Sequence, residues 1–434
     1  MRSLQSNRRY GLGGMFFALV LFLVATSIYA GPVTSEVGVP DLAAIKKFET
    51  IPNFKIGGKY EIGNPAAYEF GGTGGVTLES LGKGPLRTAY IAVGTPKKND
   101  AGKIINAIII NSYYSGDSSF FYNFWYDGRP GNGFCKGPVV GPGKLFDTDK
   151  YYIIFLDALG LWGASKPSDG LGMKFPMYSV FDQVQANYRL LKDKLGVDKV
   201  LLATGVSMGG TQTYAWGLLH PEFVDAIMPI GGQTTNAGDT LNRWLFRLMT
   251  AALQSDPVWQ KTKGDYYHLP KEQHPNQGVM FGWSILLINA FDFDFRVTQP
   301  WDTVRKDVFS WEPKGEDGTN QVPRAKIFDA NDLIYRNESG DTLDFNEHLG
   351  KIKAKTLVVH VKNDHWLRYK LAEKSAAAIP GAKIVGFEDP LAHYGVFMAP
   401  NMVKDQIAAF LTSVGITPGG VAEAPKPPAK KFAK

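Results

Sequence analysis

Apolar, β-branched runs recur along the chain at Ile104–Ile110, Tyr152–Leu156, Val200–Ala203, Ala226–Ile230, Thr356–Val361 and Lys383–Phe387. They are continuous rather than alternating, which predicts short strands buried on both faces. Between them, Phe181, Val184, Tyr188, Leu191 and Leu195 step by three and four residues, the spacing of one helix face. Strand, helix and strand in alternation predict an α/β class with a mostly parallel sheet flanked by helices. The rhythm stops over 236–345. That stretch has helical segments such as Leu241–Leu253 and many aromatics, among them Trp244, Trp259, Tyr266, Phe281, Trp283, Phe291, Phe293 and Phe295. It reads as an inserted helical cap, which divides the α/β core into 31–235 and 346–417.

The two ends differ from the body. Residues 1–30 carry Arg2, Arg8 and Arg9 and no acid; an apolar run follows, Met15 to Ala25, and then small residues up to Ala30. The order basic, apolar, small predicts a secretory signal and a periplasmic or secreted protein. The alternative is an uncleaved N-terminal membrane anchor, because Thr26 to Ala30 extend the run. Residues 418–434 are rich in Pro, Ala and Lys without apolar periodicity, which predicts a flexible tail.

Composition then narrows the function. The 434 residues carry a formal charge of +6, which on its face invites an anionic polymer as partner. Half of that excess lies in 1–30 and the other half in 418–434, where Lys426, Lys430, Lys431 and Lys434 face Glu423 alone. The body is neutral, so no nucleic-acid partner is expected, and the membrane enters only through the signal segment. The single cysteine, Cys135, reads as a packed hydrophobe. A chain this long buries enough core without disulfides. No His or Cys cluster has metal-ligand spacing, and the cluster Gly71 to Gly75 precedes no helix, so no metal, phosphate cradle or other cofactor is expected.

The sharpest motif is Gly205-Val206-Ser207-Met208-Gly209, at the end of one predicted strand and the start of a helix. This G-x-S-x-G pattern predicts a nucleophile elbow with Ser207 raised above the sheet. The helix N-terminus there stabilises an oxyanion, with the Met208 backbone N–H as first donor. The second donor is expected from the loop after Ile108–Ile110, at the backbone N–H of Tyr113 or Tyr114. A serine needs a base. Of seven histidines, His393 alone lies after the last strand and before the final helix, where the chain order Ser, acid, His requires it. His220, beside Pro221, reads as a helix cap, and His360, inside a strand, as core. The acid is expected just past the preceding strand, at Asp364. Asp389 competes but lies too near His393 in sequence, and His365 is a weaker rival base.

The chain resembles the homoserine O-acetyltransferase family of α/β-hydrolase-fold proteins from about Val76 to about Leu411. The resemblance rests on Leu86 to Gly94, Gly141 to Tyr152, Phe175 to Asp182, the elbow run Ser207 to Trp216, and Asp256-Pro257-Val258-Trp259. It implies an acyl-enzyme at Ser207, a triad completed by Asp364 and His393, and a helical cap over the pocket. Three departures bear on substrate. The family's Asp directly after the catalytic His, suited to the homoserine amine, is Tyr394 here. Its cap Arg, six residues before the Asp-Pro pair, is Thr250, with Arg247 nearby. Its His-containing oxyanion segment is Asn111-Ser112-Tyr113-Tyr114. An ion buried without a partner is costly, so losing both charged partners weakens binding of a zwitterion. A signal segment is also at odds with a step that uses cytoplasmic acetyl-CoA.

The leading expectation is therefore an exported serine hydrolase that cleaves an ester or related acyl bond of a small molecule. An acyl-CoA-dependent acyltransferase is the alternative, and a non-catalytic binding protein the third reading. A homodimer is compatible with all three.

Overall fold

A computed structural model describes residues 45–126, 137–236, 240–298 and 328–420. The predicted signal segment, Cys135 and most of the predicted tail lie outside the described residues. So does part of the cap. Among the described residues, no helix is long and apolar enough to cross a membrane.

The core is an eight-stranded sheet. Its strands are β1 (Lys47–Ile51), β2 (Leu86–Val93), β3 (Ala107–Asn111), β4 (Tyr152–Leu156), β5 (Val200–Val206), β6 (Ala226–Ile230), β7 (Lys355–Val361) and β8 (Lys383–Phe387). Their spatial order is β1-β2-β4-β3-β5-β6-β7-β8. From β4 to β8 every pairing is parallel. β1 and β2 pair antiparallel with each other, and β2 pairs antiparallel with β4. This is the α/β-hydrolase fold.

Burial explains which runs became central strands. Ile108, Ile109, Ile110, Ile153, Ile154 and Phe155 are all 0% exposed, because helices cover both faces. Each such side chain contributes about 1.5–3 kcal/mol. β1 is mostly exposed instead, with Phe48 exposed and Ile51 alone buried, as at a sheet edge. The predicted strand at Ile104–Ile110 starts later, at Ala107. Asn106 diverts its side chain to the backbone of Thr95, Lys97 and Lys150, so regular pairing begins after it.

The described helices are α1 (Ser118–Trp125), α2 (Val180–Arg189), α3 (Met208–Leu219), α4 (Thr240–Gln254), α5 (Pro257–Thr262), α6 (Asn276–Ala290), α7 (Phe293–Val297), α8 (Ala330–Asp341) and α9 (Tyr369–Ala378), followed by a short helix and then α10 (Lys404–Ser413). α2 starts with a reciprocal cap: Ser179 accepts from the Asp182 N–H, and the Asp182 carboxylate accepts from the Ser179 N–H. The periodic face read from the sequence runs past the end of α2 into a π-turn at Leu190–Lys194. α4 to α8 form the cap. Its entry and exit run side by side, joined by Asn236 N–H to Leu343 O at 2.9 Å and Phe345 N–H to Thr234 O at 2.7 Å.

A buried ion cluster ties the start of the described chain to the sheet. Lys46 Nζ lies 2.6 Å from Asp117 and 2.9 Å from Asp157, with all three side chains at most 5% exposed. Burial works against the ammonium, but the two carboxylates outweigh it and hold its pKa above the ordinary lysine range. Removing one partner strands the others without compensation. Lys46→Met is expected to lower unfolding free energy by about 3–5 kcal/mol, read from the shift of the urea midpoint.

His220 ends α3, stacked on Tyr188 at 3.8 Å. Burial, with the nearby Lys192 charge, lowers its pKa from 6.5 to about 3. The folded state keeps it neutral where the unfolded chain already binds a proton, so stability is full above pH 6.5 and falls as pH drops toward about 3. His220→Phe should flatten that part of the curve of unfolding midpoint against pH; a superimposable curve would assign the acid sensitivity elsewhere.

Candidate active site

β5 ends at Val206 and α3 begins at Met208, leaving Ser207 alone in the turn. Its backbone is held at φ 55°, ψ −122°, a conformation costly for any residue with a Cβ. The surroundings enforce it through bare backbone contacts. A Cβ on Gly209 would lie 2.4 Å from Asn111 O, and one on Gly205 would lie 2.8 Å from that oxygen. One on Gly210 would lie 2.7 Å from Ile230 O. The ends of β3, β5 and β6 thus converge under the turn and push Ser207 outward. Asn111, fully buried, braces this point: it donates to Thr204 O at 3.0 Å and accepts from Trp216 Nε1 at 3.0 Å.

The structure brings Ser207, His393 and Asp364 into one hydrogen-bonded line. Ser207 Oγ is 2.8 Å from His393 Nε2, and His393 Nδ1 is 2.7 Å from Asp364 Oδ2. The other Asp364 oxygen accepts from the Trp366 and Leu367 N–H groups, both at 2.9 Å, which fixes the carboxylate. His393 sits at the start of a tight helical turn, after Ala392 at φ 46°. All three side chains are buried.

The rivals are engaged elsewhere. Asp389 accepts from the Leu391 N–H, while its backbone pairs with the Asn363 side chain. His365 is half-buried, 3.4 Å from Asp292 and stacked on Phe293. His360 is buried in β7 against Val361 O, and burial lowers its pKa.

Ser207 opens into a small, mostly apolar pocket. Met208, Tyr114, Phe246, Leu343 and Trp366 line it, with Thr211, Gln233 and Asn242 adding polar atoms. Met208 is the first residue of α3, so its N–H has no intrahelical acceptor. Tyr114 and Tyr113 part company here. Tyr114 faces the cavity and donates from its hydroxyl to Asn337 in α8 at 2.6 Å. The Tyr113 ring instead packs among Phe120, Phe121 and Phe397. Among the described residues, no group of His, Cys, Asp or Glu is placed to hold a metal ion.

Comparison with known proteins bears on the fold and the family. Residues 128–395 match the α/β hydrolase fold family. The homoserine O-acetyltransferase of Desulfotalea psychrophila is 31% identical over 297 residues, 61% of this chain and 69% of that protein. The homoserine O-acetyltransferase of Deferribacter desulfuricans is 30% identical over 308 residues, 64% of this chain and 76% of that protein. The chain belongs to the homoserine O-acetyltransferase family of α/β hydrolases. In fold it is also similar to an acetylester hydrolase from Corynebacterium glutamicum, with a TM-score of 0.65 and 22% identity, covering 86% of this chain and 97% of that one.

Within that family the structure shows what became of the two charged positions. Tyr394 stacks on Phe291 of the cap, ring centroids 4.8 Å apart and 13° between planes. Thr250 is buried and accepts from Asn337 Nδ2 at 3.1 Å. Arg247 is 62% exposed and pairs with Asp341 at 3.2 Å, a carboxylate that Arg243 shares at 3.0 Å. Neither arginine lines the cavity. Asn242 in α4 was not legible as a site residue. It accepts from Trp366 Nε1, which ties the cap to the loop of Asp364. A lone Asn inside an amphipathic helix gives no signal of such a contact.

The glycine contacts yield a sharp expectation. Gly209→Ala forces a methyl group onto Asn111 O and displaces the turn. The rate of labelling by a fluorophosphonate should fall by about 100-fold or more, while circular dichroism stays that of a folded chain. Unchanged labelling would show that the turn does not depend on this contact.

Proposed function

We propose that the protein is an exported serine esterase that forms an acyl-enzyme on Ser207 and releases it to water. In this reading His393 takes the Ser207 proton as Oγ attacks the ester carbonyl. Asp364 holds the imidazole and stabilises its cation. The Met208 and Tyr114 N–H groups receive the oxyanion. His393 then protonates the leaving alcohol and activates the water that cleaves the acyl-enzyme.

The observation that carries this reading is the line from Ser207 through His393 to Asp364, opening on a cavity whose acceptor end has lost its charges. Tyr394 and Thr250 stand where the family places an acid and an arginine, and both are tied to neutral neighbours. A zwitterionic acceptor such as homoserine would leave its ammonium unpaired there. The basic, apolar and small order of the first thirty residues supports export to the periplasm or beyond, away from cytoplasmic acetyl-CoA. A small-molecule ester is the partner, and the neutral body supports no role in nucleic-acid binding. Transfer to an alcohol is the second reading, favoured by the relatives' own activity.

One panel separates them. Purified protein is labelled with a fluorophosphonate, then assayed on short aryl esters with and without added alcohols, and with homoserine plus acetyl-CoA. Labelling at Ser207 and release of free acid are expected. Asp364→Asn should lower turnover by about 10⁴-fold, and Ser207→Ala should abolish labelling. Robust acetyl-homoserine formation would overturn hydrolysis in favour of transfer; turnover unchanged in Ser207→Ala would remove the serine mechanism.

A further inference from the structure

Trp366, two residues after Asp364, touches the acid, the base and the cap at once. Its backbone N–H donates to Asp364 Oδ1 at 2.9 Å, so its main chain helps to hold the acid. Its ring lies 4.6 Å from the His393 ring, tilted by 58°, so its side chain packs against the base. Its indole Nε1–H donates to Asn242 Oδ1 in α4. The hydrogen bonds of His393 to Ser207 and Asp364 pass through the two ring nitrogens. They fix the line between those nitrogens and leave the tilt of the ring about it to packing. The Tyr394 ring is further off, at 6.5 Å.

The anchor of the indole is the hinge of the cap. An indole N–H only donates. Asn242 therefore turns Oδ1 to Trp366 and Nδ2 the other way, where it donates to Asn236 Oδ1 at 2.8 Å. Asn236 in turn points Nδ2 at Gly340 O, near the end of α8, and its Oδ1 also receives Gln233 Nε2. One donor-only group thus sets the orientation of the amides in series. Asn236 is where the chain enters the cap, and its N–H bonds Leu343 O where the chain leaves it. Gln233, Asn236, Asn242 and Trp366 are all at most 4% exposed, so bulk water does not replace a lost partner.

We propose that Trp366 is a positioning residue for His393 and that Asn242 is the cap residue that sets it. The ring keeps its place against the imidazole while its indole N–H is bound to α4. Without that bond the buried N–H has no acceptor and the ring turns away from the imidazole to find one. The proposal rests on the esterase reading of Ser207, which makes His393 the base. It goes beyond that reading by placing the competence of the base under the cap hinge as well as under the triad. Trp366 and Asn242 also line the pocket, so the test has to separate positioning of the base from shaping of the pocket.

Trp366→Phe keeps an aromatic ring and the backbone N–H but removes the indole donor. Asn242→Leu keeps the side-chain volume but removes the acceptor. Each should lower kcat by about 10- to 100-fold. Positioning of the base predicts the same factor for an aryl acetate and an aryl hexanoate, whereas a pocket-shaping role predicts a factor that changes with acyl length. Both substitutions break one bond, so the double variant should be no slower than the slower single variant. Without any substrate, the low-field proton resonance of the His393–Asp364 hydrogen bond should broaden in both variants while circular dichroism stays that of a folded chain. Wild-type kcat in both single variants, a loss that tracks acyl length, losses that multiply in the double variant, or an unchanged resonance each overturn the proposal. If Trp366→Phe fails to fold, Asn242→Leu decides through the acyl-length comparison and the resonance. If Ser207 takes no fluorophosphonate label and no ester is turned over, the esterase reading fails, and the resonance still reads whether Trp366 positions His393.

Discussion

The site depends on three strands being allowed to meet backbone to backbone. Asn111 at the end of β3, the Gly205–Gly209 turn after β5 and Ile230 at the end of β6 approach so closely that single methyl groups would collide. That convergence forces Ser207 into a left-handed conformation, lifts its hydroxyl above the sheet and starts α3 one residue later. The strain is sustained because many parallel hydrogen bonds and fully buried isoleucines hold the strands in register around it. The same convergence sets the orphan N–H groups of the helix start beside the nucleophile, so position and electrostatics have one origin.

The base and acid come from elsewhere and are fixed by a different device. Asp364 is pinned by two backbone N–H groups of its own loop, and His393 follows a strained alanine in a tight turn. The cap takes part in this arrangement as well as covering it. Asn242 reaches from α4 to Trp366, whose ring lies 4.6 Å from that of His393. Asp292, between α6 and α7, binds Asn363 and so touches the loop on its other side. Acid, base and cap are therefore packed against one another through Trp366 and Asn363.

The family's charged positions around the cavity are neutral here. Aromatic stacking of Tyr394 on Phe291 and a neutral Thr250–Asn337–Tyr114 chain replace charge at the family's acceptor positions. Arg243 and Arg247 turn outward to Asp341. Arg336, on the last cap helix, is fully buried with Nη1 on Leu159 O and with Nε and Nη2 unpaired.

The sequence by itself determined the central strands, the elbow and the identities of Ser207, Asp364 and His393 as candidates. The physical reason is that these are local or ordered signals. Continuous apolar runs mark doubly covered strands, glycines mark a turn that tolerates no Cβ, and the chain order of serine, acid and base follows from the order of parallel strands. The antiparallel strands, β1 at the edge and β2 beside it, gave no comparable signal, since a short, mostly exposed run such as Lys47–Ile51 is also what a loop can show. Tertiary structure alone decided the remaining points: that Tyr114 rather than Tyr113 faces the cavity, that Asn242 touches Trp366, that Lys46 pairs with Asp117 and Asp157, and that Arg336 is left with a bare edge. Each of these is a contact between segments distant along the chain, where a polar residue's partner, or lack of one, is fixed by packing and leaves no periodic trace in the sequence.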